Sequence, residues 1–507
     1  MNITQTKLLR TLALALLLAC FPTLPLHAAD MPTFPYPAAR RGDTIEVYHG
    51  QKIADPYRWL EEPDSPETRA WVTAENKITD AFLAEIPQRG AIRGKLERLW
   101  NYERFGLPVK RGGKYFYSRN DGLQNQAVLL VTDSLKAEPR LLLDPNTLSK
   151  DGTVALTGWQ ASEDGRHLAF GLASAGSDWQ EWKVLEVATG KETTDHLRWV
   201  KFSGVSWLKD GSGFFYSRYD EPQAGEAYTA ANYYQKLFFH KLGTPQSEDR
   251  LIYKRDDQKE WGFGGHVTDD GKYLLIHIWR GSEAKNLVFY KELAKPDAPI
   301  VELVSEWEAD FDYVGNDGTT FWFTTDLEAP RRRLIAIDLA HPERKAWKQL
   351  IAEAADPLSG ASLVGDRFIC HYLHNVQSQV KLFELNGQPA GEIALPAGGT
   401  AGGFGGERAD RETFYYFTNM TTPATTFRYD FDQKTSTVFR QPKIDFDGGK
   451  YVVEQVLYPS KDGTKIPLTI AHRKDLKLDG QHPTILYGYG GFNISVTPGF
   501  SAGTAAW

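Results

Sequence analysis

A short polar turn recurs seven times between residues 111 and 411, each time between two runs rich in apolar and aromatic residues. Four of these turns contain Asp-Gly, a pair that tolerates the positive φ of a tight β-hairpin turn. The turns lie about 43 to 60 residues apart, which is the length of a four-stranded propeller blade, at residues 111–114, 163–166, 209–212, 268–272, 315–318, 364–367 and 408–411. Stacking such units radially buries the apolar face that each leaves exposed. The repeat therefore predicts a seven-bladed β-propeller over residues 106–442. A pair of β-sandwiches, the alternative, explains the strands but not the sevenfold spacing.

The composition is that of a large globular protein. The 507 residues exceed the usual length of one domain, and 41% apolar with 13% aromatic residues is enough for a packed, β-rich core. A net charge of −7 argues against nucleic acid as a partner. No Cys/His cluster has the spacing of a zinc site. Cys370 lies in an apolar run that indicates a buried strand, with a catalytic thiol as the alternative.

Residues 1–29 have the organisation of a signal peptide. Lys7 precedes a Leu/Ala-rich segment, residues 11–19, that is too short to span a membrane. Ordinary cleavage is the preferred interpretation, and lipoprotein processing at Cys20 is the alternative. We therefore expect a periplasmic or secreted protein with no integral membrane segment after cleavage.

Residues 30–105 indicate an extended arm followed by helices. Ser65 and Pro66 provide an N-cap followed by proline at the first helical position, and apolar residues recur at helical spacing after them. The acidic pair Glu61 and Glu62 precedes this helix. We interpret the pair as solvated or capping charges, and the alternative is a site for the amino group of a substrate.

The pattern changes in residues 443–507. Residues 451–458 and 466–472 alternate like paired strands, and a turn at residues 460–464 joins them. Residues 483–487 form a fully apolar run, which is typical of a buried strand in an α/β sheet. A strand pair followed by a buried strand and a glycine loop matches the opening of an α/β-hydrolase domain.

The segment Tyr-Gly-Tyr-Gly-Gly-Phe at residues 487–492 carries the clearest chemical signal. Its glycines let the backbone pass close to a bound substrate, and such a loop in a serine hydrolase supplies donors to the oxyanion. The hydroxyl of Tyr489 is a candidate oxyanion donor, and Phe492 is a candidate wall of a small apolar pocket. The alternative is a strand-end loop whose aromatic side chains lie on the surface.

A Gly-x-Ser-x-Gly string at residues 499–503 imitates the nucleophile elbow of hydrolases. An elbow needs a strand directly before the serine, but Pro498 precedes this string and cannot donate to a strand ladder. No Asp, Glu or His follows Ser501 in the sequence, and a serine without a base is a weak nucleophile. We therefore do not assign Ser501 as a nucleophile.

Several long and irregular strings resemble those of prolyl oligopeptidases. The loop at residues 487–492 carries this resemblance most clearly, and further strings extend it over nearly all of the chain after the signal peptide. These strings lie at residues 55–64, 122–126, 151–156, 176–179, 246–249 and 458–467.

The resemblance implies a propeller (106–442) inserted in an α/β-hydrolase domain, of which the N-terminal arm (30–105) and first strands (443–507) are present. It implies a serine peptidase that cleaves short peptides on the C-terminal side of proline, acts as a monomer and needs no metal or organic cofactor. In this family the tyrosine matching Tyr489 donates to the oxyanion, and the phenylalanine matching Phe492 lines the proline pocket.

The family's catalytic serine, aspartate and histidine correspond to positions beyond residue 507. We therefore expect a C-terminally incomplete chain that is inactive as it stands and whose complete form is a serine-type prolyl oligopeptidase. A non-catalytic peptide-binding propeller or a pseudoenzyme is the alternative. The propeller position at which the family presents an aromatic side chain to the substrate falls on Val184.

Two related peptidase classes fit the sequence less well. A dipeptidyl-peptidase-like exopeptidase needs a glutamate pair within the propeller, whereas Glu61 and Glu62 precede it. A trypsin-like oligopeptidase needs acidic specificity residues, which would lie mostly beyond residue 507.

Overall fold

The computed structural model describes residues 34–223, 225–228, 230–295 and 297–507. The predicted signal peptide and Cys20 lie outside these ranges. The described part of the chain divides into two compact units with the boundary between Arg89 and Gly90, and each is described by itself. In the described ranges, no helix is long and apolar enough to cross a lipid bilayer.

In the first unit a hairpin is followed by a helix. Strands β1 (Ile45–Tyr48) and β2 (Gln51–Ala54) pair antiparallel, and α1 spans Pro66–Ala84. The Ser65 hydroxyl accepts a hydrogen bond from the Thr68 amide at 3.1 Å, which satisfies one of the free amides at the helix start. The helix start predicted from Ser65 and Pro66 is therefore confirmed.

The Glu61 carboxylate of the first unit ends a 3₁₀ turn, Arg58–Glu61, and lies 3.5 Å from the Arg58 guanidinium. Glu62 follows as the residue that ends the turn, and its amide donates to the Trp59 carbonyl. Both acids are exposed. Their surroundings agree with the interpretation of solvated and capping charges.

The second unit begins with α2 (Arg89–Trp100) and continues into seven antiparallel sheets, the blades. Blade 1 contains β3 (Arg104–Phe105), β4 (Val109–Arg111), β5 (Lys114–Asn120), β6 (Val128–Thr132) and β7 (Arg140–Leu143). Blade 2 contains β8 (Val154–Ala161), β9 (His167–Ser174), β10 (Gln180–Glu186) and β11 (Glu192–Val200). Blade 3 contains β12 (Val205–Trp207), β13 (Gly213–Arg218), β14 (Lys236–Lys241) and β15 (Arg250–Tyr253).

The remaining four blades repeat the same order. Blade 4 contains β16 (Trp261–Val267), β17 (Tyr273–Arg280), β18 (Leu287–Glu292) and β19 (Val301–Val304). Blade 5 contains β20 (Phe311–Asp317), β21 (Thr320–Thr325), β22 (Arg333–Asp338) and β23 (Lys348–Ile351). Blade 6 contains β24 (Leu358–Val364), β25 (Arg367–His374), β26 (Gln377–Glu384) and β27 (Pro389–Ile393). Blade 7 contains β28 (Thr400–Gly405), β29 (Glu412–Asn419), β30 (Thr422–Asp430) and β31 (Thr435–Arg440).

The seven-bladed propeller predicted from the turns is confirmed. Each of the seven predicted turns joins the innermost strand of a blade to the strand after it. At residues 364–367 the turn is made by Gly365 and Asp366, whose φ angles are 63° and 53°. Two successive positive φ values give the turn twist that suits a hairpin. In the four Asp-Gly turns only the glycine has a positive φ, which glycine adopts without steric cost.

The two ends of the propeller differ in the connections that they carry. The turns between first and second strands lie at one end, which we call the lower end. The turns between second and third strands and the connections between blades lie at the opposite end, the upper end. First strands of neighbouring blades contact each other, β12 with β16 and β24 with β28 among them, so they surround the central axis.

Buried apolar side chains fill six of the seams between neighbouring blades. Each of the seams from 1–2 to 6–7 contains one such cluster. Phe323 in the 4–5 seam and Phe170 in the 1–2 seam are fully buried. Cys370 lies in the 5–6 seam, where burial raises the pKa of its thiol to about 12. A thiol that stays protonated is a poor nucleophile, so Cys370 is a core residue.

The seam between blades 7 and 1 closes the ring in a different way. The Lys110 ammonium lies 3.1 Å from the Asp410 carboxylate, and the Tyr115 hydroxyl donates to the Glu412 carboxylate at 3.2 Å. A cavity of about 310 Å³ lies between these blades. The two blades consist of β3–β7 and β28–β31 alone, so no strand is exchanged across this seam.

After the propeller, β32 (Tyr451–Pro459) and β33 (Lys465–Arg473) pair antiparallel, and the short helix α3 spans Ala502–Ala506. The predicted strand pair is confirmed. The prediction of a buried strand at residues 483–487 is wrong, because this run is exposed and has no strand structure. A buried strand needs neighbours on both sides, and none of the described strands pairs with this run.

Candidate functional site

Tyr489 and Phe492 lie in a loop between β33 and α3 that has no regular secondary structure. Both side chains are exposed, Tyr489 by 51% and Phe492 by 73%. The Tyr489 ring folds back over the loop, because its hydroxyl oxygen lies only 3.2 Å from the place of a Cβ built on Gly491. With Tyr487, which is 73% exposed, the loop presents two phenols and one phenyl ring to solvent.

The backbone of this loop is unusual at two residues. Phe492 and Asn493 have φ angles of 53° and 54°, a left-handed conformation that is uncommon for residues other than glycine. Such strain is frequent at ligand-binding sites, where the surrounding structure maintains it.

Blade 7 anchors the end of the loop. The Thr400 hydroxyl donates to the Pro498 carbonyl at 2.7 Å, and the Phe500 amide donates to the Thr418 hydroxyl at 3.1 Å. Both threonines lie at the upper end of blade 7. These hydrogen bonds place the C-terminal end of the candidate loop on the upper end of the propeller.

The strand pair that precedes the loop also contacts this end. The Gln455 side chain donates to the Asn375 carbonyl at 2.7 Å, and Asn375 lies in the turn between the second and third strands of blade 6. The backbone of Gly448 packs closely on Thr421, in the corresponding turn of blade 7. The upper end of blades 6 and 7 therefore contacts both ends of the segment that carries Tyr489 and Phe492.

An aromatic group occupies the upper end of blades 2 and 3. The Trp179 ring makes edge contacts with Trp199 and Tyr219, at centroid distances of 5.7 and 6.0 Å. The Lys201 ammonium lies 4.4 Å from the centroid of the Trp179 ring, and burial lowers the pKa of this lysine. The Trp179 ring is therefore held by two aromatic rings and one cation.

The side chain that this surface presents is Phe202, not Val184. Val184 is buried in the apolar cluster between blades 2 and 3, because its position in β10 faces the neighbouring blade. Phe202 lies in the connection between the same blades, is 51% exposed and has a φ of 55°. Val184 therefore presents no side chain to this surface. The sequence signal that could have identified Phe202 is its position in the connection between blades 2 and 3, which lies at the upper end.

Blade 5 adds charged groups to the upper end. The Arg332 guanidinium lies 2.9 Å from the Asp310 carboxylate and 2.6 Å from that of Asp312. Burial and the nearby Asp312 charge raise the pKa of Asp310 to about 6, although Arg332 opposes them. One arginine therefore holds two acids together at this end of the propeller.

Ser501 has the environment of a helix cap and not of a nucleophile. Its hydroxyl accepts a hydrogen bond from the Thr504 amide at 3.3 Å, at the start of α3. Throughout the ranges that the structure describes, histidine rings bond to carboxylates, carbonyls or an amide, not to a serine hydroxyl. The same ranges contain no group of three or more His, Cys, Asp or Glu side chains arranged to hold a metal ion.

Comparison with known proteins gives consistent matches. The family model "Prolyl oligopeptidase, N-terminal beta-propeller domain" matches residues 36–442. A prolyl endopeptidase of Elizabethkingia miricola is 39% identical over 97% of this chain and 69% of its own length. The prolyl endopeptidase of Elizabethkingia meningoseptica is 38% identical over the same shares of the two chains.

Solved structures agree with these relatives. A structure from a study of two prolyl endopeptidases is 39% identical, with a TM-score of 0.70 over 93% of this chain and 68% of the other. Prolyl oligopeptidase B from Galerina marginata, bound to a 35mer substrate, is 29% identical, with a TM-score of 0.83 over 93% and 70%. Its apo form gives a TM-score of 0.72 over the same shares.

The seven blades, the strand pair and glycine loop that follow them, and these matches lead to one conclusion. The chain belongs to the prolyl oligopeptidase family, and it contains the N-terminal propeller of that family.

Proposed function

We propose that the protein acts as a serine-type oligopeptidase that cleaves short peptides on the C-terminal side of proline. The observation that carries this proposal is the 39% identity to a prolyl endopeptidase over 97% of the chain. The substrate-bound form of prolyl oligopeptidase B supports peptides as the substrate class. A propeller over the active site would admit short peptides and exclude folded proteins.

Two residues of this chain have proposed roles in that reaction. The Tyr489 hydroxyl donates a hydrogen bond to the oxyanion that forms when a serine attacks the carbonyl after proline. The Phe492 ring lines the pocket that holds the proline ring. The exposure of both side chains and the strained backbone at Phe492 support this assignment.

The catalytic serine, histidine and aspartate are proposed to lie in the portion of the relatives that these 507 residues do not match, about 31% of their length, since 69% is matched. That portion would complete an α/β-hydrolase domain, of which residues 30–105 and 443–507 are proposed to be parts. By the same proposal, residues 1–507 alone have no peptidase activity.

A fusion protein tests the proposal. Residues 1–507 would be joined to the unmatched C-terminal portion of the Elizabethkingia miricola enzyme, and hydrolysis of a Gly-Pro chromogenic substrate would be measured. We expect cleavage after proline by the fusion protein and none by residues 1–507. Cleavage by residues 1–507, or a soluble, folded fusion protein without proline-dependent cleavage, would contradict the proposal.

Within that fusion protein, Tyr489→Phe tests the oxyanion donor. Losing one such donor costs about 3 kcal/mol, or about 10²-fold in kcat, because the donor acts mainly in the transition state. KM should change little. Tyr487→Phe is the matched control, since it removes an exposed hydroxyl from the same loop. Equal kcat values for the two variants would remove Tyr489 from the mechanism.

A non-catalytic, peptide-binding propeller is the second candidate function. It is favoured by the exposed Phe202 and the aromatic group, which offer a binding surface that needs no catalytic triad. Calorimetry with a proline-containing octapeptide and residues 1–507 tests this candidate. Binding that Phe202→Ala weakens, with the peptide intact afterwards, would support it, whereas no binding at millimolar concentration would reject it.

We also propose that residues 1–29 direct export, so that the protein acts in the periplasm or outside the cell. The basic start and the short apolar segment support this. Mass spectrometry of the N-terminus after expression in a Gram-negative host tests it. Loss of these residues from a protein recovered in the periplasm is expected, and an intact N-terminus in the cytoplasm would contradict it.

A further inference from the structure

A histidine in the seam between blades 2 and 3 lies between two carboxylates. His240, on β14 of blade 3, places its Nε2 atom 2.9 Å from Asp195 Oδ1, on β11 of blade 2. Its Nδ1 atom lies 2.6 Å from Asp249 Oδ1, just before β15 of blade 3. All three side chains are fully buried. None of the three residues has a role in the proposed function.

The chemistry of the contacts fixes the number of protons. A neutral imidazole has one N–H donor and one lone pair, but each ring nitrogen of His240 faces a carboxylate oxygen. An unprotonated ring nitrogen would point its lone pair at a carboxylate oxygen, and in a buried site the two would repel each other at these distances. Two short contacts of this kind therefore require two bridging protons, which is the arrangement of an imidazolium between two carboxylates.

Both carboxylates accept further hydrogen bonds. Asp195 Oδ1, which also contacts His240, accepts from the Gly243 amide, and Asp195 Oδ2 accepts from the Thr193 hydroxyl, each at 2.5 Å. Asp249 Oδ2 accepts from the Tyr216 hydroxyl, on β13, at 2.6 Å. These bonds stabilise both carboxylates in the charged form, so the bridging protons belong to the imidazole.

An aromatic ring and a neutral amide side chain surround the imidazole and its two carboxylates. The Phe214 ring of β13 lies 5.3 Å from the imidazole centroid, and Gln246 donates to the Tyr216 hydroxyl at 3.0 Å. Gln246 also bonds to the backbone of Arg198 in blade 2. The ionisable groups bonded within the network are Asp195, Asp249, Tyr216 and His240, with the Arg218 guanidinium as the cation that acts on Tyr216.

We propose that His240 is a buried cation at neutral pH that locks blade 2 to blade 3, and that its deprotonation in alkaline solution releases this seam. Burial by itself would lower the pKa of His240, but its hydrogen bonds to Asp195 and Asp249 outweigh burial and raise this pKa to about 9. The folded pKa lies above the usual value of 6.5. The stabilisation is therefore complete below pH 6.5 and is lost as the pH rises through about 9.

Nitrogen-15 NMR of the full chain with labelled histidine tests the lock directly. We expect one imidazole, absent from His240→Gln, to carry protons on both ring nitrogens at pH 8 and to titrate near pH 9. Asp249→Asn keeps the histidine and should lower that midpoint by about one pH unit or more. Asp356→Asn, in the exposed His374–Asp356 pair, is the matched control and should leave the midpoint unchanged.

Thermal unfolding between pH 6 and 10 provides the second measurement. We expect the wild-type melting temperature to fall between pH 8 and 10 more steeply than that of Asp249→Asn. A neutral His240 at pH 7.5, or an identical pH profile in wild type and Asp249→Asn, would overturn the proposal. If His240→Gln does not fold, Asp249→Asn and its control Asp356→Asn still test the proposal, because both keep His240. The proposal then requires a midpoint that shifts in Asp249→Asn and not in Asp356→Asn.

Discussion

Six seams of the propeller are closed by apolar side chains, whereas the seam between blades 7 and 1 is closed by charged and aromatic groups around a cavity. In that seam the Arg440 guanidinium lies 4.2 Å from the ring centroids of both Phe105 and Tyr117. Burial of one large apolar side chain contributes about 1.5–3 kcal/mol, but an exposed ion pair contributes only about 0.2–1 kcal/mol. The comparison indicates that the seven seams are not equally strong and that the 7–1 seam is the weakest.

The position of this seam in the sequence gives a reason for the difference. Blades 7 and 1 are the last and first blades, so no short connection keeps them adjacent in the unfolded chain, and closing so long a loop costs entropy. The other seams join blades that follow each other directly. The polar contacts of the 7–1 seam make closure of the ring depend on a few groups that salt and pH modify.

The largest expected effect is at an apolar seam. Phe323→Ala removes a fully buried ring from the 4–5 seam and should lower the free energy of unfolding of the propeller by about 3–5 kcal/mol, because a cavity remains. Phe414→Ala is the matched change beside the 7–1 cavity and should cost about half as much. Urea unfolding followed by tryptophan fluorescence measures both. Equal costs would remove the difference between the two kinds of seam.

Two neighbouring glycines of the 7–1 seam should respond in opposite directions. Gly403 has a φ of 108°, and a Cβ there would lie 2.2 Å from Leu107, so Gly403→Ala should destabilise by about 1–3 kcal/mol. Gly405 has open space around it, so Gly405→Ala should be neutral or stabilise by up to about 1 kcal/mol. Melting temperatures of the two variants measure this. A loss at Gly405 equal to that at Gly403 would show that the cavity does not offer free space.

The smallest effect is expected at the ion pair. Lys110 is 46% exposed at its side chain, so Lys110→Met should cost no more than about 1 kcal/mol, and less in 0.5 M salt. Lys254→Met, which breaks an exposed pair with Asp256 in the connection between blades 3 and 4, is the control. A loss of several kcal/mol at Lys110 alone would show that the 7–1 seam depends on this pair.

Local patterns in the sequence predicted the blades well and the seams poorly. The Asp-Gly turns place each hairpin, since turn chemistry is encoded by adjacent residues. Alternation along a strand shows which residues share a face but not which blade that face meets. For this reason the burial of Val184 between blades 2 and 3 and the polar 7–1 seam could not be anticipated.

The candidate site shows the same limit. Tyr489 and Phe492 could be named from one short string, but the hydrogen bonds of Thr400 and Thr418 to residues 498 and 500 join parts of the chain that are far apart in sequence. The strand expected at residues 483–487 was inferred from apolar composition alone, which does not supply neighbouring strands. The contact between Asp195 and His240 likewise spans 45 residues and leaves no local signal.

Hydrogen exchange of the full chain, followed by mass spectrometry at increasing urea concentrations, tests the seam comparison most directly. We expect β4, β5 and β28, which border the 7–1 seam, to lose protection at a lower urea concentration than β16, β17 and β20, because the weakest seam opens first. Simultaneous loss of protection in all seven blades, or earlier loss in blades 4 and 5, would contradict this account.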